Sequence, residues 1–408
     1  MADDERDEEM RPEEEEEEED EEAWAEPVVL DDLPVGNTTT FVGGFSPIKA
    51  LPDAVGLWKN KDDRLIVLAG KYEADVSPDS NAHQGLVVQG DATAEASAVV
   101  FTGLLDVGAT AGAKPPGTDA ENAADEAEEH DEDGEQAAPP QPPRPLTIGH
   151  MTFLGGAVFS ETSDATIDDC IFGGMFVDDA NERVPRTVRC HGLSTVRLNK
   201  CTAYGMERSA VYCYPHARAT FTDCTMIGAK KPPPPPPESE RRRKRVVAAP
   251  VPPPAVPTAC ECEVGVHIDN AEAKFVGCVV NNFTIGYAFN DKCAGTTVEG
   301  STVTEIATVA FLLGAGTSPA VRGNAAKLCG RECVVIGAKA HPTMRNNVFV
   351  GDARLKDGAV VTGICDNVLG LNGQLFVEGQ RFNVKGFTVV AKDPTLVKPK
   401  KEEDEEEE

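Results

Sequence analysis

One six-residue pattern recurs along this chain and restricts its possible folds more than any other feature. Written as apolar, any, turn-former, small or polar, any, apolar, it matches IGHMTF from Ile148, IDDCIF from Ile167, LNKCTA from Leu198, FTDCTM from Phe221, FVGCVV from Phe275, VEGSTV from Val298, VRGNAA from Val321, MRNNVF from Met344 and LNGQLF from Leu371. Four of the steps between successive starts are 23 residues. The step of 54 holds the proline run KKPPPPPP and the basic run ERRRKR, and the step of 31 holds the polar DDANERVP. Insertions of variable length into one fixed period are how loops sit on a repeat scaffold.

A period of 23 residues is too short for paired-helix repeats, and the segments lack a 3.6-residue apolar pattern. They are rich in Val, Ile, Phe and Thr, alternate apolar with polar residues, and then bend at Gly, Asp or Asn. Such a unit reads as one coil of three short strands, and coils stacked about 4.8 Å apart form a parallel β-helix. The first and sixth positions then point inward, and the third sits at a bend that favours φ > 0. Leucine-rich repeats share the period, but their L-x-x-L-x-L-x-x-N spacing is missing. The fourth position becomes a column beside the bend, formed by Met151, Cys170, Cys201, Cys224, Cys278, Ser301, Asn324, Asn347 and Gln374. Stacked thiols pack there as small apolar groups, and stacked amides bond coil to coil. A buried thiol with no activating neighbour is a poor nucleophile, so packing is the expected role of the cysteines.

Ahead of the coils, SPIKALPDAVGLWK has Ser46 as N-cap, Pro47 as first helical residue, and Ile48, Leu51, Val55 and Trp58 at helical spacing. The strand-like RLIVLAGKYEADV follows, then GLVVQGD and AVVFTG. This order, joined to the coil pattern, resembles the pectin-lyase-like right-handed β-helix superfamily over residues 41 to 392 outside the insertions. The resemblance implies an all-β, right-handed solenoid of about ten coils with an N-terminal capping helix. The hand comes from the resemblance and not from the period. Within that superfamily the chain looks like the non-catalytic eukaryotic branch, such as the β-helix regions of the Shc-binding spindle protein and the F-box β-helix proteins. No F-box pattern is visible, so a ubiquitin-ligase role is not carried over.

The net charge of −31 resides entirely in three blocks: residues 1–22, with sixteen acids against Arg6 and Arg11, residues 118–135, with ten acids, and residues 402–408, all acidic. Such segments repel themselves and cannot bury a core. The expected organisation is a disordered acidic tail over 1–35, a β-helix over 41–392 with disordered insertions at 107–145 and 231–259, and a second acidic tail over 393–408. The N-terminus lacks the pattern of a secretory signal, and no run of eighteen apolar residues occurs. These features predict a cytoplasmic protein without membrane contact, open to cytoskeletal, flagellar or nuclear association, with its twelve cysteines reduced. Cys260 and Cys262, and Cys329 and Cys333, have no second pair at zinc-ribbon distance, so neither metal nor cofactor is expected.

Enzymes of the superfamily cut or de-esterify acidic polysaccharides with carboxylates and an Arg on the outer face of neighbouring coils. Here the outward second positions read Gly149, Asp168, Asn199, Thr222, Val276, Glu299, Arg322, Arg345 and Asn372, which leaves the acids several coils apart. Asp168 and Asp169 resemble the paired aspartates of polygalacturonases. The companion G-H-G is absent, because Gly149 and His150 are followed by Met151, and that His lies one short coil earlier. Paired Asp at a bend is ordinary turn chemistry, so the two are weak enzyme candidates. His267 and Asp269 in GVHIDN alternate on one strand face as solvated residues do, with no nucleophile elbow nearby.

The insertions offer binding motifs instead. Pro139, Pro142 and Arg144 form P-x-x-P-x-R, a polyproline II ligand of SH3 type, and PPPPPP over 232–237 suits WW or profilin-type grooves. Arg241, Arg242, Arg243, Lys244 and Arg245 are a contact for acidic partners, a clasp for the chain's own acidic tails, or an import signal. At a net charge of −31 nucleic acid is an unfavoured partner. The sequence therefore points to a non-catalytic intracellular scaffold or protein-interaction module. The alternative is a carbohydrate-active enzyme, a polysaccharide lyase or hydrolase.

Overall fold

The structure is a computed structural model that describes residues 39–43, 51, 64–80, 82–108, 144–173, 186–205, 208–228, 263–330, 332–360, 362–371, 373–378 and 386–390. Among them, three sheets of 12, 12 and 10 strands, here A, B and C, run side by side. Each coil gives one strand to each sheet in turn. Thr195–Asn199 lies in A, Thr202–Gly205 in B and Ser209–Cys213 in C, before Arg218–Thr222 returns to A. All pairings are parallel, as in Leu198↔Phe221↔Phe275 in sheet A and Thr202↔Thr225↔Val279 in sheet B. The protein is a parallel β-helix, right-handed as parallel crossover connections are. Sheets A and B have twelve strands where about ten coils were expected, because early strands such as Thr39–Val42 and Arg64–Val67 pair in register without carrying the motif.

Strand alternation explains the core. Ile148, Ile167, Leu198, Phe221, Phe275, Val298, Val321 and Met344, at the first position, are all buried, as are Phe153, Phe172, Met226, Val280, Val303 and Phe349 at the sixth. Identical residues at matched positions stack: the Phe221 and Phe275 rings lie 4.7 Å apart and 5° from parallel. The chain crosses from A to B through two residues in each of these coils, and the first of the two is left-handed. His150, Asp169, Lys200, Asp223, Gly277, Gly300, Gly323 and Asn346 have φ between 45° and 65°. By contrast, the crossing from B to C contains residues 174–185, 206–207 and 229–262 in three successive coils, all outside the described residues.

The last repeat needs correction. LNGQLF does not form the ninth corner, since Leu371 is 57% exposed. ICDNVL, from Ile364, does. Ile364 pairs in register with Met344, Asp366 carries the positive φ of 54°, and Asn367 is fully buried. This coil is shorter than 23 residues, and the two matches lie seven residues apart, so spacing alone selected the wrong one. Of the capping helix expected from Ser46 to Trp58, only Leu51 is described; it is helical and buried. The acidic tails and most of the two insertions lie outside the described residues.

Candidate functional site

The column at the fourth corner position runs from Met151 through Cys170, Cys201, Cys224, Cys278, Ser301, Asn324 and Asn347 to Asn367, every member at most 3% exposed. Gln374 does not belong to it: it falls between sheets B and C, where its backbone N–H donates to Asp352 Oδ1 at 2.8 Å. Burial drives the Cys170 thiol up to about 12. Hydrogen bonding to the Cys201 thiol, with burial, drives Cys224 up to about 12 as well, and contact with Cys224 raises Cys278 further. These thiols stay protonated and sealed, so the column supplies no nucleophile.

The corner just ahead of it contains the paired aspartates. Asp168 ends the strand Asp164–Asp168, and its Oδ1 accepts from Asn199 Nδ2 at 2.6 Å. Asp169, at the left-handed position, turns the other way and meets His150 Nδ1 at 2.7 Å. The sequence had set His150 one coil away from the pair, and the fold closes that gap because the two bends stack. His150 Nε2 lies 2.6 Å from the carbonyl oxygen of Ala94. Both ring nitrogens therefore face acceptors, which is why the Ala94 carbonyl, and then Asp169, raise the His150 pKa. Thr152 Oγ1 also donates to Ala96 O at 3.0 Å. The arrangement fastens the 91–98 loop to the stem, and neither aspartate is left aimed at a shared substrate atom.

A denser cluster occupies the outer side of sheet C and the bend after it. Arg189, Tyr212 and His267 are register partners on successive coils and face outward. One step after the inward Cys190, Cys213, Ile268 and Phe289 come His191, Tyr214, Asp269 and Asn290. The His191 and Tyr214 rings stack at 3.8 Å, Tyr214 lies 4.1 Å from Tyr212, and Tyr212 lies 4.4 Å from His267. Tyr212 Oη donates to Asp269 Oδ2 at 3.3 Å, and Asn290 Nδ2 donates to His267 Nε2 at 2.5 Å, which leaves the ring proton on Nδ1. Burial and a side-chain hydrogen bond with Asp291 raise the Asp269 pKa. Arg189 Nε is buried with no hydrogen-bond partner among the described residues. Rings for stacking, an imidazole, two neighbouring carboxylates and an unsatisfied guanidinium nitrogen thus converge over four coils.

Sequence reasoning treated His267 and Asp269 as solvated and missed the others. Aligning the third strands would have found them: VRCH, VYCY, VHID and YAFN, from Val188, Val211, Val266 and Tyr287, share one alternation, and the fourth residue of each falls in the row. Of the proposed binding motifs, Pro139, Pro142, Arg241, Arg242, Arg243, Lys244 and Arg245 lie outside the described residues. Arg144 is described and exposed, with its carbonyl accepting from Gly85 N at 3.0 Å, so this end of the motif is anchored on the stem. Among the described residues no group of three His, Cys, Asp or Glu is placed to hold a metal ion.

No family model matches the sequence, and no curated protein matches it. Among solved structures, a rhamnogalacturonan lyase is similar over 88% of this chain and 86% of its own, with 8% sequence identity and a TM-score of 0.32. Similarity at that level carries no argument about chemistry.

Proposed function

We propose that the protein is a non-catalytic binding β-helix, with the outer face of sheet C around Tyr212 as a recognition surface. The observation that carries this reading is the continuous row of His191, Tyr214, Tyr212 and His267 rings, edged by Asp269 and Asn290. Rings held on a rigid stack give contact area at little entropic cost, and the polar edge fixes orientation. The proline-rich segment with Pro139 and Pro142, the run 232–237 and the basic cluster 241–245 extend the same reading as contacts for SH3, WW or profilin-type domains and acidic partners. A cytoplasmic, cytoskeleton-associated location, and kinship with the non-catalytic eukaryotic β-helix proteins, belong to this proposal.

The polysaccharide lyase or hydrolase reading has the Asp269–Asp291 pair in its favour. Burial and then the neighbouring Asp291 side chain raise the Asp269 pKa, which puts the two carboxylates close together. A glycosidase pair instead stands at least about 5 Å apart, across the sugar bond. Two acids placed side by side suit a binding edge better than a divided acid and nucleophile.

The test uses the full chain. Native partners are captured and identified, and their affinity for Tyr214→Ala and His267→Ala is measured beside an Asp269→Asn, Asp291→Asn double variant assayed on polygalacturonate. Affinity should fall about tenfold in the ring variants at unchanged melting temperature. Turnover by the native chain that vanishes in the double variant would replace the scaffold reading with the enzyme reading.

A further inference from the structure

Farther along the stem, the A-to-B corner changes character. The outward residues Glu299, Arg322 and Arg345 are register partners on three successive coils, each step about 5 Å. The bend residues beside them are Gly300, Gly323 and Asn346, at φ of 60°, 62° and 55°. A Cβ added at Gly300 or Gly323 would meet no heavy atom nearer than 4.0 Å, so the missing side chains leave a trough floored by backbone. Its volume is about 570 Å³, and Glu299, Arg322, Arg345 and Thr343 line it together with the bend residues. On earlier coils the same place is filled: His150 meets Asp169, and the Asp223 carboxylate reaches over Gly277.

The two arginines here also lack the carboxylate partner that several others have. Arg197, Arg218 and Arg354 each pair with a carboxylate, whereas among the described residues neither Arg322 nor Arg345 has an ion-pair partner, even with Glu299 one coil from Arg322. Two guanidinium groups held side by side repel each other unless an anion is shared between them. A phosphate or sulfate ester has three free oxygens to divide between two guanidinium forks, where a carboxylate has two, so the tetrahedral group suits the pair better.

We propose that Arg322 and Arg345 form a binding site for a tetrahedral oxyanion, a phosphate or sulfate ester on a small polar ligand. Thr343 and Glu299 take the hydroxyl groups of that ligand, and Glu299 repels a second anionic group at its end of the trough. The volume suits a molecule of sugar-phosphate or sugar-sulfate size. The site opens at a different corner from the sheet C row and stands independently of the function proposed there.

The full chain is titrated with inorganic phosphate and, separately, with sulfate, at constant low ionic strength held by chloride, and read by calorimetry and thermal shift. Saturable binding that chloride does not reproduce is expected, and Arg322→Gln or Arg345→Gln should weaken it about tenfold. Gly323→Asn keeps the left-handed bend that Asn346 already adopts, fills the floor and should weaken binding without lowering the melting temperature. Arg218→Gln, at an ion pair three coils earlier and at the opposite end of the sheet A strands, should bind as the native chain does. Three results would overturn the proposal: an equal response to chloride, undiminished binding in the double Arg→Gln variant, or a phosphate response that appears only after deletion of residues 402–408. The last would mean that the chain's own acids occupy the arginines.

Discussion

The two halves of the corner column solve one problem with different atoms. In the cysteine and asparagine coils the fourth-position side chain donates to the first-position carbonyl of the coil before it. In the amide half, Asn324, Asn347 and Asn367 Nδ2 donate to Val298, Val321 and Met344 O at 3.0, 2.9 and 3.1 Å. In the thiol half, Cys201, Cys224 and Cys278 Sγ donate to Ile167, Leu198 and Phe221 O at 3.5, 3.3 and 3.4 Å. The amide half also makes the reverse bond. Asn347 Oδ1 accepts the backbone N–H of Asn324 at 3.0 Å, as Asn324 Oδ1 accepts that of Ser301 at 2.8 Å. Sulfur donates weakly and relies on its apolar packing, whereas the amide donates and accepts and adds an amide-to-amide bond, Asn347 Nδ2 to Asn367 Oδ1 at 2.7 Å. The backbone sets the requirement, and the side chain decides how firmly adjacent coils are tied.

That contrast can be broken by experiment. Asn347→Ala strands the Asn324 N–H and the Val321 carbonyl in a buried site and removes one donor to Asn367 Oδ1, and should cost about 3–4 kcal/mol in urea denaturation. Alkaline titration probes the other half. A thiol such as Cys170, pushed up to about 12 when folded, keeps its proton after the unfolded chain, titrating near about 8.5, has lost it. Stability is therefore intact below about pH 8.5 and lost as the pH rises toward 12, by about 2 kcal/mol at pH 10, and Cys170→Ala should remove that share of the slope. Cys224→Ala at neutral pH should cost only about 1 kcal/mol, since weak bonds and a small volume are lost. If its cost equals that of Asn347→Ala, the two halves are equally tied and the comparison fails. Smallest of all, His150→Gln should cost under about 0.5 kcal/mol. That effect should be present below about pH 6.5 and fade as the pH rises through the elevated pKa of the histidine.

The column was legible because its residues sit at a constant offset from two apolar anchors, and burial acts on those anchors in every coil. Asn367 escaped because the final full coil is shorter and a second match at Leu371 fitted nearly as well; only pairing with Met344 decides between them. The Tyr212 row was hidden for a different reason. Its strands follow the B-to-C crossing, where chain length varies, so no fixed period links Tyr214 to Asp269. Side chains on an outer face also obey no burial rule that a sequence pattern could reveal. The Arg322 and Arg345 trough was half visible: both residues were read as outward, but the open floor depends on the absence of side chains at Gly300 and Gly323.

The unequal corners divide the labour of inheritance. In the coils where the A-to-B crossing is two residues long, one residue gained there must bulge out or turn the next strand's side chains to the opposite face, so that corner keeps time like a clock. The B-to-C crossing, which already ranges from three residues in one coil to 35 in the next, behaves as a socket. A foreign peptide spliced between Gly205 and Arg208 would enter beside Tyr212 without disturbing the count, which makes this corner the natural place to graft a new specificity onto an unchanged stem.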